Sequence, residues 1–157
     1  MVIERLHLQD YDTAEELWSL QQAAYRMELA AIGEAAELPP LKDTVASLQR
    51  SAETFWGCRS EDGELIGAVA AEEEGGVVTV CRMMVHPEFF RQGIGSRLLD
   101  CVLNAYPEAR RFEVTAEKRN APAIALYGKF GFSPVGTVEP LPGITLVRMA
   151  KDVRTQP

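Results

Sequence analysis

The sequence predicts an α/β (α+β) protein in which a mixed central sheet is flanked by helices, in the order β-α-α-β-β-β-α-β-α-β-β. Three observations predict it. Short apolar–polar alternations broken at Asp62-Gly63 and Gly75-Gly76 give consecutive hairpin strands in the first half. Apolar residues at helical spacing separate the strands of the second half, as crossovers between parallel neighbours require. Between the halves, Met83-Met84-Val85-His86-Pro87-Glu88-Phe89-Phe90-Arg91-Gln92-Gly93-Ile94-Gly95-Ser96-Arg97-Leu98-Leu99 reads as a strand end, a loop with two glycines and a first helical turn. The 157 residues, 46% of them hydrophobic, suffice for one domain with its own core and not for two.

Taken in order, Val2 to Leu8 alternates as a first strand. Asp12 or Thr13 is the expected cap of the first helix, with Glu15 and Glu16 favourable against the helix dipole. Leu17, Leu20, Ala24, Met27 and Ala31 give that helix its apolar face. Gly33 to Pro40 interrupts the pattern, and a second helix is expected from Leu41 to Arg50 with Val45 and Leu48 inward. Strands follow over Thr54–Arg59, Leu65–Ala71 and Val77–Val85. Pro87 cannot extend a ladder, so the last of these ends near His86, itself a turn residue. Leu98, Leu99, Val102 and Leu103 face inward on a helix from Ile94 to Ala105 that Pro107 ends. Arg111 to Ala116 is a strand with Phe112 and Val114 on one face. Asn120 caps a helix to Phe130; Pro122 sits early in it, where its missing N–H costs little, and Gly131 supplies a left-handed closing residue. Ser133–Val138 and Ile144–Ala150 are the last strands, and 152–157 is a frayed tail.

A formal net charge of −7 argues against nucleic acid or an anionic membrane surface as partner. No apolar run approaches the roughly 18–20 residues of a membrane span, and Met1-Val2-Ile3-Glu4-Arg5 is not a signal peptide. Cys58, Cys81 and Cys101 are odd in number and lack paired spacing, which speaks against disulfides or a zinc site and for a reducing cytoplasm. Each lies in an apolar run and reads as a buried structural thiol, with a catalytic cysteine left open. Charge is divided: Glu15, Glu16, Glu28, Glu34 and Glu37 precede the loop, whereas Arg91, Arg97, Arg110, Arg111, Lys118, Arg119 and Lys129 lie in or after it. An anionic cofactor near the basic half and a cationic acceptor near the acidic half fit that division; so does solvated surface charge.

The loop carries the chemistry. Gly93 and Gly95 let the backbone approach whatever lies above the helix mouth. The first N–H groups of a helix lack internal partners and sit at the positive end of its dipole, a cradle suited to phosphate. Arg91 and Gln92 add a cation and donors; a plain strand-to-helix turn is the bland alternative. No Gly-Lys-Ser/Thr follows, so this is not a Walker loop, and Leu98 stands where a dinucleotide fingerprint needs its third glycine.

Val85-His86-Pro87-Glu88 followed by Arg91-Gln92-Gly93-Ile94-Gly95-Ser96 resembles the acyl-CoA pyrophosphate loop of the GCN5-related N-acetyltransferases (GNAT), usually Gln/Arg-x-x-Gly-x-Gly/Ala. Phe90 occupies the usual Gln/Arg position, with Arg91 beside it. Asn120-Ala121-Pro122-Ala123-Ile124-Ala125-Leu126-Tyr127-Gly128-Lys129-Phe130-Gly131-Phe132 resembles the same family's Asn-x-x-Ala-x-x-Leu-Tyr-x-Lys-x-Gly-Phe. The resemblance covers a domain over 1–151, with its specific motifs between Val80 and Phe132. It implies acetyl-CoA as co-substrate, bound by the backbone of Met83, Met84 and Val85 as if by another strand. It also implies the loop Arg91, Gln92, Gly93, Ile94, Gly95 and Ser96, and Asn120, as cofactor contacts. Tyr127 is implied as the acid that protonates the departing thiolate; a pure N-cap for Asn120 and a core aromatic for Tyr127 are the bland alternatives. The strand-like binding requires two strands to splay apart.

Acyl transfer to an amine also needs an oxyanion donor, for which an N–H near Val85 is the candidate, and a base. Some relatives use a Glu in the central strand, but Val77-Val78-Thr79-Val80-Cys81-Arg82 has no carboxylate, leaving Glu72, Glu73, Glu74 and Glu113, acting through water. Arg82 in that strand must find a carboxylate or carbonyl partner; it borders the acceptor site or is structural. The acceptor is expected between the first two helices and the last hairpin, near Tyr25, Glu28 and Leu38-Pro39-Pro40. The reading is an N-acetyltransferase acting by direct transfer on a primary amine of a small molecule or peptide, without a metal; a homodimer stays open. A non-catalytic acyl-CoA-binding module on the same fold is the alternative, and an unrelated nucleotide-binding domain a third.

Overall fold

The computed structural model describes residues 1–32 and 42–153, with the backbone alone over 28–32. The elements follow the expected order: β1 (Val2–Leu6), α1 (Tyr11–Ile32), α2 (Val45–Gln49), β2 (Thr54–Arg59), β3 (Leu65–Glu74), β4 (Val77–Val85), α3 (Ile94–Ala105), β5 (Arg111–Glu117), α4 (Ala121–Lys129), β6 (Ser133–Leu141) and β7 (Ile144–Asp152). A 3₁₀ turn, Pro87–Phe89, separates β4 from the loop before α3.

Local chemistry moved several ends. Neither Asp12 nor Thr13 caps α1. Asp10 does: its carboxylate accepts from the Asp12 N–H at 3.3 Å and the Thr13 hydroxyl at 2.9 Å, and its carbonyl from the Ala14 N–H at 3.0 Å. The helix thus starts two to three residues earlier than expected; its buried face is Ala14, Leu17, Leu20 and Gln21, and Met27 is 46% exposed. The second helix is shorter than expected, because Thr44 and Ser47 form a reciprocal capping box that starts it at Val45. Glu72–Glu74 continue β3 by pairing with Val77–Thr79, and β6 and β7 outrun their expected ends as one long hairpin.

The sheet order is β1-β2-β3-β4-β5-β7-β6, antiparallel throughout except for the parallel pair β4–β5. One face packs on α1 and α2 through Leu17, Leu48, Phe55, Ala68 and Met84. The other packs on α3 and α4 through Val69, Val78, Leu98, Val114 and Tyr127. Among the described residues, the core on the first face draws on β1 to β4, and no helix covers that face over β5, β7 and β6.

The strand pairing makes an opening in the middle of the sheet. β4 and β5 pair only from Val77–Arg111 to Val80–Val114, although β4 runs on to Val85 and β5 to Glu117. The break coincides with a bulge: Ala70 opposes Arg82 and Ala71 opposes Val80, so Cys81 is the extra residue. A bulge bends its strand and increases its twist, which turns the second half of β4 away from β5. It also brings Cys81 to the surface, so of the three cysteines only Cys58 is the buried thiol expected, and Cys101 is half-buried.

Candidate active site

Past the bulge, strand geometry orients the backbone of β4. The His86 N–H donates to Ile66 O of β3 at 2.8 Å. Successive strand amides point to opposite edges, so those of Met83 and Val85 point away from β3, toward the side that β5 has left.

The gap leads to the start of α3. His86 caps the 3₁₀ turn, its Nδ1 accepting from the Glu88 N–H at 3.2 Å. Arg91 then adopts φ = 66°, the only non-glycine residue with positive φ among those described, and Gly93 adopts φ = 77° as the N-cap. Alternating left-handed residues turn successive N–H groups into one concavity. Glycine at 93 has no side chain to offer, and no other side chain caps α3. The helix's first internal bond runs from the Arg97 N–H to Gly93 O at 3.1 Å. Gly95 does something different from what the sequence suggests. A Cβ there would stand 3.3 Å from Leu126 Cδ2, so its smallness first serves the packing of α3 on α4.

Across the gap, β5 ends in Glu117, 2% exposed. Its carboxylate accepts from the Arg119 N–H (2.9 Å), Arg119 Nε (2.8 Å) and the Thr145 N–H (3.0 Å). The bonds from Arg119, helped by that from Thr145, outweigh burial and hold this carboxyl below its usual range. Glu117 thereby fixes the turn that delivers Asn120, whose side chain caps α4 by accepting from the Ala123 N–H at 3.2 Å. Tyr127 is 4% exposed, its ring tilted against Phe132 at 5.9 Å. It belongs to the core cluster that also holds Val80 and Val114, the last pair before the strands part.

On the open face of the sheet, a cleft of about 290 Å³ lies over the same point, lined by residues that include Thr79, Cys81, Glu113, Thr115, Val135 and Arg148. Glu113 accepts from Arg111 Nε at 2.9 Å. The Cys81 sulfur lies 3.4 Å from Thr79 O, and burial, with Glu53 and Glu72 close by, pushes its thiol up to about 12. Arg82 stands on the wall toward α1. Its guanidinium reaches Glu53 at 2.9 Å, Asp43 at 2.7 Å and Gln21 at 2.9 Å, and lies over the Phe55 ring at 5.6 Å. Burial disfavours this charge, but the two carboxylates outweigh it and raise the pKa. Burial likewise raises Asp43, but hydrogen bonds from Ser47, Arg82 and Gln21 outweigh it and leave that carboxyl below its usual range.

The Acetyltransferase (GNAT) family model matches residues 14–132. The chain belongs to this family. A curated relative, the UPF0157 protein YqkA of Bacillus subtilis, is 37% identical over 145 residues, which are 92% of this GNAT chain and 42% of YqkA. The chain thus spans less than half of that relative's length. Two solved structures share the fold at 20% identity. The ribosomal-protein-S18-alanine N-acetyltransferase of Escherichia coli gives a TM-score of 0.75, covering 99% of this chain and 96% of that one. The PaiA N-acetyltransferase of Thermoplasma acidophilum, in complex with coenzyme A, gives 0.77 over 98% and 100%.

Within this GNAT chain Met83 and Val85 turn their amides toward the gap, whereas the Met84 amide faces β3 and its side chain is buried beneath α1, so the expected contact at Met84 is not presented there. The loop Arg91–Ser96 follows the end of β4, and Asn120 the end of β5. Arg82 reaches the adjoining face. Tyr25 packs against the core beneath α1 and does not line the 290 Å³ cleft. The Glu28 side chain and Leu38-Pro39-Pro40 lie outside the described residues. Of the four candidate bases, Glu113 lines the cleft; Glu72 opposes Thr79, and Glu73 accepts from the Gly76 N–H in the hairpin turn. Sequence reasoning missed Glu53, Asp43, Glu117 and Arg148. The demand of Arg82 for a carboxylate was the available signal for the first two; strand parity on β7 could have raised Arg148.

Proposed function

We propose that this chain is an N-acetyltransferase that moves an acetyl group from acetyl-CoA to a primary amine of a small molecule or peptide by direct transfer. One observation carries the reading: the β4–β5 ladder stops at Val80–Val114, and the β4 amides then face a gap that opens on the uncapped start of α3. An extended amide-bearing arm fits the edge of β4, and a pyrophosphate fits the donors of residues 91–96. The solved PaiA structure of the same fold is a coenzyme A complex, which supports that assignment.

Acetyl-CoA supplies an activated thioester; the chain supplies position and charge. The amides of Met83 and Val85 hold the arm, with Val85 the candidate donor to charge developing on the thioester oxygen. Glu113 orients the amine in the open cleft. As the amine nitrogen bonds to the acetyl carbon and the carbon–sulfur bond breaks, the amine proton leaves to solvent, and Tyr127 gives its phenolic proton to the thiolate. Direct transfer is favoured over a cysteine intermediate because the surroundings of Cys81, the thiol in the cleft, with Glu53 and Glu72 close by, oppose its ionisation. The three free thiols fit a cytoplasmic protein.

The test is an acceptor screen with acetyl-CoA that reads released thiol, beside thermal shifts with acetyl-CoA, ATP and NAD. Stabilisation by acetyl-CoA alone together with amine-dependent thiol release is expected. Stabilisation without release from any amine identifies a binding module, and stabilisation by ATP or NAD in its place removes the acyl-CoA reading.

A further inference from the structure

The open-face cleft carries two opposite charges, and they are not used alike. Glu113 and Arg148 line it together. In the β5–β7 register Glu113 opposes Ala150 and Thr115 opposes Arg148, which makes Glu113 and Arg148 diagonal neighbours on adjacent strands. Such neighbours stand about 7–8 Å apart and project from the same face. Opposite charges at this spacing often close on each other. Here Glu113 turns to Arg111 at 2.9 Å, and Arg148 makes no ion pair among the described residues. β7 is an interior strand, but the Arg148 guanidinium leans toward β6, the edge strand. The opposite residue on β6 is Gly136; a Cβ there would stand 3.7 Å from Arg148 Nη1, an ordinary contact.

We infer that the acceptor is an amine that also carries a carboxylate, an amino acid. Glu113 receives the amino end, which gives its ammonium proton to solvent before it attacks as the neutral amine, and Arg148 the carboxylate. The inference rests on the transferase reading and narrows its acceptor. The charge balance selects the chemistry. Arg111 already neutralises part of Glu113, so an amino end must share that carboxylate with it. A zwitterion offers a partner to both Glu113 and Arg148, whereas a polyamine meets Arg148 as a like charge and a phosphate meets Glu113 as one. A guanidinium takes a carboxylate through two parallel hydrogen bonds, which also fixes the direction in which the amine points.

The experiment compares α-amino acids with their carboxamides and their decarboxylated amines as acceptors, with phosphoethanolamine as a further arm. The carboxamides are less basic than the amino acids and the decarboxylated amines more so, so amine basicity cannot mimic a preference for the carboxylate. Wild type is expected to favour the amino acid over both analogues by at least tenfold in kcat/KM. In Arg148→Gln that ratio should fall toward one, through KM and not kcat, and Arg148→Lys should restore part of it. Equal or better use of the carboxamides, preference for phosphoethanolamine, or a ratio unmoved by Arg148→Gln overturns the zwitterionic acceptor and leaves the transferase standing. No thiol release with any amine overturns the transferase reading and this inference with it.

Discussion

The two sides of the gap are built from different material. The loop side is nearly contiguous: Met83 to Ser96 supplies every group proposed for it except Asn120, and most of those groups are backbone N–H. The acceptor side is assembled from α1, the segments before α2 and β2, and strands β4, β5 and β7, and its groups are side chains. A backbone cradle depends on φ and ψ, and it survives changes of side chain that leave the dihedrals alone. A side-chain cleft can be respecified by single substitutions and leaves the loop untouched. That division sets what each variant below should disturb.

The largest effect is expected where the two sides meet. Tyr127→Phe keeps the ring against Phe132 and removes the proposed acid. Its kcat should fall by roughly 10²–10⁴ in single-turnover transfer at saturating acetyl-CoA and amine, with acetyl-CoA affinity kept. Matching single-turnover rates would make Tyr127 a packing residue, as its burial among Val80 and Val114 also permits.

Next is the wall of the acceptor side. Arg82 ties Gln21, Asp43 and Glu53 to β4 across sequence separations of 61, 39 and 29 residues. With side-chain exposures of 14% for Arg82 and 11% for Glu53, the pair is nearly dry. Arg82→Met strands two carboxylates and should cost about 3–5 kcal/mol in urea unfolding. Arg82→Lys keeps the charge but cannot reach three partners in a plane, and should fall between the two. A loss below about 1 kcal/mol in Arg82→Met would show that the network is solvated and does not organise the wall.

These two residues also mark what was legible. Tyr127 lies in a contiguous motif, and so does the loop; helix periodicity, turn glycines and Pro87 located the strand, the gap's mouth and α3 with little error. The splay was required by the resemblance but is written in no local pattern, because it follows from a one-residue bulge at Cys81 that only the β3–β4 register reveals. The partners of Arg82 were demanded by electrostatics, yet nothing local says which of many acidic residues a fold will bring to it. Tyr25 was assigned to the acceptor by its place on α1; it is half-buried against the core beneath that helix.

Glu117 tests the seam between the sides with pH. Its folded pKa is lowered, so its stabilising bonds are complete above the ordinary carboxyl value of 4.5 and fade as pH falls through the folded value. Glu117→Gln should lose about 2 kcal/mol at pH 7, the scale of hydrogen bonds to a charged group. The difference from wild type should shrink in acid as the native carboxylate takes up its proton. A difference independent of pH would assign the loss to packing.

The smallest effect probes the claim that the loop side is backbone. Arg91 holds φ = 66°, where an L-residue costs roughly 1–2 kcal/mol and glycine costs little. Arg91→Ala and Arg91→Gly remove the same guanidinium, but only glycine relieves the strain. Part of that relief is offset by the greater freedom of an unfolded glycine, so Arg91→Gly should be more stable than Arg91→Ala by about 1 kcal/mol. Equal stabilities would mean that the loop relaxes away from this conformation once the arginine is gone. Coenzyme A affinity then separates the two contributions of residue 91. Loss of an exposed cation weakens both variants alike, and by less in high salt. A preset left-handed residue matters differently. If its shape is what the pyrophosphate meets, Arg91→Gly, which can leave that region of φ freely, should bind more weakly than Arg91→Ala by an amount salt does not change. Binding that is the same in both variants would locate the contribution of Arg91 in its charge, and leave the cradle to Gly93 and the first turn of α3.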